Sequence, residues 1–159
     1  MRILLVKPAA RLRTVLGLQA FQLLEPLELG YLAAAAPAGH DIRVADLRLA
    51  RRPSRSFRAT LRTWRPDLVG FTGYTHDARA VKELAAVVRR ELPRTVVIAG
   101  GHHATVAPRD LDVPQIDAIV RGEGCAPFRE LVRRLAAGDS LDGIPDVLRT
   151  GDAFDRFTG

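Results

Sequence analysis

At 159 residues, 47% hydrophobic and 26% charged, this is one domain's worth of ordinary globular sequence, long enough for a substantial core. No apolar run approaches the roughly 20 residues that span a bilayer. The single cysteine, Cys125, excludes an internal disulfide framework or a cysteine-built metal cluster. A net charge of +6 raises nucleic acid as a partner, but the basic residues are almost all arginines scattered over predicted helices, with no aromatic partners on one face. No nucleic acid and no membrane are therefore expected as partners, and the cytoplasm is the default location.

In chain order, Arg2–Val6 reads as a buried strand; the start, MRILLVKP, is too short and too soon interrupted by Pro8 for a signal peptide. Pro26–Ala36 reads as a helix that Gly39 is placed to end, with Glu25 as a candidate cap. Ile42–Ala45 is a short strand, and Ser54–Trp64 a helix carrying Phe57, Leu61 and Trp64 on one face. Leu68–Thr72 is a third strand. Asp77–Glu91 is the cleanest helix, with Val81, Leu84, Ala85 and Val88 at helical spacing. Thr95–Ala99 and Ile116–Val120 are strands four and five, and Ala126–Ala137 is a last helix closed by Gly138. Two stretches break the rhythm: the long connection Ala9–Leu24, and the tail from Ser140 to Gly159 with its Pro145 and Gly151.

Short apolar strands alternating with helices predict an α/β fold. Specifically, they predict a Rossmann-like or flavodoxin-like, doubly wound, five-stranded parallel sheet with helices on both faces. Ligands of such folds sit beyond the carboxyl ends of the strands. The small and polar residues of this chain gather there. Thr72-Gly73-Tyr74-Thr75-His76 follows strand three, Gly100-Gly101-His102-His103-Ala104-Thr105 follows strand four, and Gly122-Glu123-Gly124 follows strand five. Bare glycine backbone beside a hydroxyl can press against phosphate, ribose or amide groups, where a Cβ would hold a ligand off. The same glycines could equally serve as tight turns, but three such turns on one edge point to a site.

The segments EPLELGYLAAAA (25–36), PDLVGFTGYT (66–75), VVIAGGHHATVAP (96–108) and DAIVRGEG (117–124), in this order, carry a family resemblance. The chain resembles the cobalamin-binding domain that precedes the catalytic barrel of cobalamin-dependent radical SAM enzymes. The likeness runs from Met1 to about Pro145, which implies a cobalamin-binding domain over 1–145. Residues 146–159 are then a linker or the start of a further domain. It implies a corrin lying over the strand ends, with its dimethylbenzimidazole tail buried between strand ends and helices. By the same likeness Thr72 and the Gly100-Gly101 pair meet the tail, Tyr74–His76 lie near the lower corrin face, and Gly122–Gly124 run along the tail pocket. Pro8, Glu25, Pro26, Leu27, Gly73, His102, His103, Ala104 and Thr105 complete the candidate cofactor-binding set.

The departures are informative. The stretch after strand one reads PAARLRTVLGLQ and lacks the Asp-x-His-x-x-Gly pattern that supplies a histidine to cobalt in other cobalamin folds. The resemblance therefore implies a base-off corrinoid with no ligand from this loop. His76 is the histidine placed to approach cobalt from below, although a hydrogen bond is the commoner fate of such a side chain, and Tyr74 can cover the same face. His102 stands where the family usually has proline, and Cys125 where it usually has an acid. One cysteine cannot hold an iron–sulfur cluster, so a 4Fe-4S centre and S-adenosylmethionine would belong to a catalytic domain in cis or in trans. The implied role is a module serving methyl transfer or radical chemistry. The alternatives are a cofactor-free flavodoxin-like interaction module and a nucleotide-binding enzyme domain. Against the last, no Gly-x-Gly-x-x-Gly follows strand one.

Overall fold

A computed structural model describes residues 1–9 and 25–151. The connection singled out over Ala9–Leu24 lies, but for Ala9, outside the described residues, as does the tail beyond 151.

The fold is set by which strands are buried on both faces. β1 (Arg2–Lys7) and β3 (Leu68–Thr72) are continuous apolar runs buried almost throughout, as central parallel strands must be. β2 (Asp41–Asp46) alternates charged and apolar residues and lies at the sheet's edge, where charge discourages further pairing. β4 (Val96–Gly100), β5 (Ala118–Val120) and β6 (Val147–Arg149) complete the order β2-β1-β3-β4-β5-β6. The first five strands are parallel, so their carboxyl ends share one edge. Strand order reverses between β1 and β3, which places the switch point of this doubly wound sheet between them.

Helices cover both faces. α1 (Leu27–Ala35) and α5 (Cys125–Ala137) pack Leu29, Phe128, Leu131 and Val132 on Ile3, Leu5, Ile98 and Ala118. α2 (Pro53–Trp64) and α3 (Ala78–Glu91) pack Phe57, Leu61, Trp64, Val81, Ala85 and Val88 on Leu4, Val6, Val69 and Val97. α2 opens on Pro53, whose missing N–H is no loss in a first turn, and stops at Arg65 in the left-handed region (φ 48°), just before Pro66. Charged residues near the strand ends are neutralised in place. Arg48 holds the Asp46 carboxyl below the usual carboxylate range, through a side-chain bond of 2.7 Å, and that carboxylate also accepts the Arg48 N–H.

The doubly wound α/β expectation is met, with two differences. The sheet has six strands, because 147–149, in the segment assigned to a linker, pair antiparallel with β5. Val147 and Leu148 bury their side chains on opposite faces, which is what holds so short a strand in the sheet. The turn after β4 also winds into a short helix, α4 (His102–Val106), which glycine-rich sequence had concealed. Smaller shifts have local causes. Ile116 is buried but lies in a turn whose N–H bonds the Val113 carbonyl, so β5 begins two residues later. Glu25 caps nothing with its side chain: Pro26 is the residue before α1, and only the Glu25 carbonyl is used, by the Leu27 N–H. Among the described residues no helix is long and apolar enough to cross a membrane.

Candidate functional site

The carboxyl edge opens into a cleft of about 450 Å³ between the sheet and helices α1 and α5. Its floor is hollow for a reason legible in the strands. On the α1/α5 face, β3 presents Leu68, Gly70 and Thr72, and β4 presents Ile98 and Gly100. In the ladder Gly70 stands beside Ile98, and Thr72 beside Gly100. Two glycines on neighbouring strands leave the sheet bare where side chains would fill the space. A Cβ on Gly70 would stand 3.0 Å from Leu5 Cδ2 and 3.4 Å from Ile98 Cγ1. A Cβ on Gly100 would meet nothing nearer than the Val120 carbonyl oxygen at 3.5 Å, so the fold tolerates one there and only the cleft is lost to it.

Gly101 answers to a different demand. Its φ is +89°, and a Cβ would fall 2.6 Å from Thr72 Oγ1 and 2.9 Å from the Gly73 nitrogen. The chain's own turns require this glycine whether or not a ligand is present. The turns after β3, β4 and β5 are tied to one another. The His103 N–H donates to the Gly73 carbonyl (3.1 Å). The Thr105 hydroxyl donates to the Gly101 carbonyl (3.1 Å) and accepts the Gly122 N–H (3.0 Å). Thr105 is therefore a staple between two turns, with its hydroxyl engaged on both sides.

Of the sequence-derived candidates, Thr72, Gly73, Tyr74, Gly100, Gly101, His102, Thr105, Gly122, Glu123 and Gly124 line this one cleft. Pro8, Glu25, Pro26, Leu27, Thr75, His76, His103 and Ala104 do not. His103 is buried, with Nε2 2.9 Å from Asp110 Oδ2 and Nδ1 3.3 Å from Thr75 Oγ1; its ring is held within the fold. Lys82 and His103 keep the Asp110 carboxyl below its ordinary range. Ala104 packs into the core on the α2/α3 face, away from the cleft. Leu27 is exposed at the start of α1 (62%). His76 stacks on Tyr74 at 5.9 Å between ring centroids, and its Nε2 lies 3.5 Å from Asp77 Oδ1.

Three contributors escaped the sequence reading. Gly70 lies inside a strand, and a glycine there is itself a signal of close approach. Lys7 closes β1 after the apolar run Ile3–Val6. Its side chain is buried, with Nζ 3.1 Å from Glu28 Oε1 and 4.8 Å from the Tyr74 ring centroid. A buried ammonium needs both an anion and further partners, and the carboxylate and ring face supply them. The third contributor is the apolar wall of Leu29, Leu32 and Phe128, which only the packing of α1 and α5 brings to the cleft.

These features define a doubly wound α/β domain with a cleft against glycine-bared strands at its carboxyl edge. The family model described as the B12 binding domain matches residues 13–132, and the chain belongs to that family. It is similar to the hopanoid C-3 methylase of Methylococcus capsulatus (34% identity over 153 residues, 93% of this chain and 28% of that protein). It is equally similar to an uncharacterized methyltransferase of Pyrococcus horikoshii (34% over 151 residues, 91% and 31%). A third relative is a cobalamin-dependent radical SAM methyltransferase of Streptomyces tokunonensis (31% over 85 residues, 52% and 12%). The chain thus spans about a third or less of the length of these relatives. Among solved structures, the cobalamin-dependent S-adenosylmethionine radical enzyme OxsB shares the fold, with a TM-score of 0.66 at 15% identity, over 92% of this chain and 20% of that one.

The residues present fit the group that the family binds. A flat heteroaromatic ring with a sugar phosphate needs a bare floor, apolar walls and a polar mouth. Gly70 and Gly100 are the floor, and Leu5, Ile98, Leu29 and Phe128 are walls. Lys7, Glu28, Thr72 and His102 gather at the strand ends. Among the described residues no group of three or more His, Cys, Asp or Glu side chains is placed to hold a metal ion.

Proposed function

We propose that this chain holds cobalamin base-off, the nucleotide tail in the cleft and the corrin over the strand ends, for a radical SAM catalytic domain in cis or in trans. The observation that carries this reading is the glycine-floored cleft, in a chain that belongs to the B12 binding domain family. When bound, the cobalt of such a group supplies methyl-transfer or radical-assisting chemistry. The protein's part is to bind, orient and exclude water.

Each residue has its proposed share. Gly70 and Gly100 let the tail lie on the sheet, and Thr72 offers its hydroxyl at the edge of that floor. Gly73, Gly101, Gly122, Glu123 and Gly124, stapled by Thr105, shape the rim. Tyr74, 54% exposed and underlain by Lys7, covers the lower corrin face, with His76 and His102 against its ring. Pro8, Glu25, Pro26 and Leu27 border the corrin at the starts of the loop and of α1. Ligation of cobalt by His76 is the weaker reading, since that imidazole already stacks on Tyr74 and faces Asp77. Base-off binding follows from the family resemblance, and the missing Asp-x-His-x-x-Gly pattern leaves the loop without a histidine for cobalt. A 4Fe-4S cluster and S-adenosylmethionine belong to the catalytic domain, since this chain has one cysteine. If that domain is in cis, residues 150–159 are proposed as the linker to it or its start, and the setting is the cytoplasm.

The test is a titration of the chain with hydroxocobalamin, followed by visible absorbance and calorimetry. A saturable absorbance change with a one-to-one end point is expected. No spectral change and no heat at millimolar ligand would refute the reading.

A further inference from the structure

We propose that the cleft selects a cobamide by its lower base, favouring a benzimidazole over a purine; this rests on the cobalamin-binding reading above. The selection follows from where polarity stops along the strands. At the outer level of the cleft stand Lys7, Thr72 and Gly100. Two residues deeper on the same strand faces stand Leu5, Gly70 and Ile98. Helices α1 and α5 close that deeper level with Leu29, Leu32 and Phe128, and Val120 of β5, level with Gly100, adds an apolar wall at the outer one. No lining side chain at this depth carries a nitrogen or oxygen. The β3 backbone there is spent as well, because β3 is paired on both sides, to β1 and to β4; the Val120 carbonyl oxygen borders the outer level, beside Gly100.

Lys7 and Thr105 nearer the mouth are engaged within the chain, while His102 and Glu123 line the cleft there as well. Lys7 is held by Glu28 and the Tyr74 ring. Thr105 is held between the Gly101 carbonyl and the Gly122 N–H. The Thr72 hydroxyl, one step outward from Gly70 on the same face and 5% exposed as a residue, borders the apolar floor.

A benzimidazole displaced from cobalt has a single unsubstituted ring nitrogen, which one hydroxyl can serve. Adenine carries that nitrogen, two more acceptor nitrogens and an exocyclic amine. Burying these against leucine, isoleucine, valine and phenylalanine leaves them without partners, and each unpaired buried polar group is costly. An outright block is not expected, because purine and benzimidazole have nearly the same outline. A preference of roughly ten- to a hundredfold is the scale of one or two such groups.

The experiment titrates the unmodified chain with three corrinoids: cobalamin, adeninylcobamide and cobinamide, which lacks the nucleotide arm. Dissociation constants are read by absorbance and calorimetry. Expected is cobalamin binding about ten- to a hundredfold tighter than adeninylcobamide, with the gap narrowing in Val120→Thr, a near-isosteric change that adds a hydroxyl to the wall; circular dichroism checks that variant's fold. Equal affinity of the unmodified chain for cobalamin and adeninylcobamide overturns the selection. If cobinamide also binds as tightly as both, the base is outside the cleft, and the selection fails while corrinoid binding stands. If none of the three binds, the cobalamin reading itself falls and the selection with it.

Discussion

Replacing Gly100 by leucine is expected to weaken cobalamin binding by about a hundredfold or more, equivalent to about 2.8 kcal/mol at 1.4 kcal/mol per decade, while the domain stays folded. The position is unusual in separating fold from ligand. A Cβ there has ordinary van der Waals room, with its nearest neighbour at 3.5 Å, and the backbone has no positive φ. Four carbons placed on it must enter the cleft that the ring of the tail would occupy. Overpacking costs of about 1–3 kcal/mol are the upper range for the fold, because the added atoms have open space to use. Gly101 would be a poorer probe, since any side chain there strikes Thr72 and Gly73 and damages the turns directly. The discriminating readout is cobinamide: without a tail, it should bind Gly100→Leu and the unmodified chain alike. Cobalamin bound with undiminished affinity by a folded Gly100→Leu chain would remove the tail from the cleft.

Replacing Arg89 by methionine is expected to cost about 3 kcal/mol of stability, the scale of breaking a charged, multiply bonded group. For a domain of this size that is a fall in Tm of roughly 10 °C. Arg89 leaves the last turn of α3 and gathers the entries of two strands. Its guanidinium donates to the carbonyls of Pro93 (3.1 Å), Thr95 (3.0 Å) and Gln115 (3.2 Å) and to Asp117 Oδ2 (2.7 Å). That same carboxylate oxygen accepts the Val97 N–H at 2.7 Å, so one pair fixes where β4 and β5 begin. Methionine keeps the aliphatic stem and leaves three carbonyls and a carboxylate to find water. Thermal unfolding followed by circular dichroism measures the effect; a shift under about 2 °C would mean that the clamp is dispensable.

The fold was legible because its signals are local and repeated. LVGFT is buried at every position, as a central parallel strand requires, and the stripe Val81, Leu84, Ala85, Val88 leaves only a helix against a sheet. β6 was not legible, because three residues after Pro145 and Asp146 carry no period; only their pairing with β5 makes them a strand. The cleft was half legible. Glycine turns after three strand ends marked its rim, and ten of the candidates line it. Adjacency in the sequence then misled: His103 and Ala104 come just two and three residues after Gly101, yet α4 turns them to the other side of the sheet. Thr105 looked like a ligand hydroxyl and is occupied as a staple, a fact fixed by the neighbouring turn at Gly122. The floor at Gly70, the buried Lys7 with its exposed partner Glu28 and the wall at Phe128 depend on register and helix docking, which no short motif records.

The most direct test is the electron paramagnetic resonance spectrum of this chain loaded with cob(II)alamin. With the benzimidazole drawn down between sheet and helices, and Tyr74 rather than an imidazole beneath the metal, the cobalt lines should carry no nitrogen splitting. A three-line pattern from an axial nitrogen, whether of the benzimidazole or of His76, would contradict the mode of binding described here.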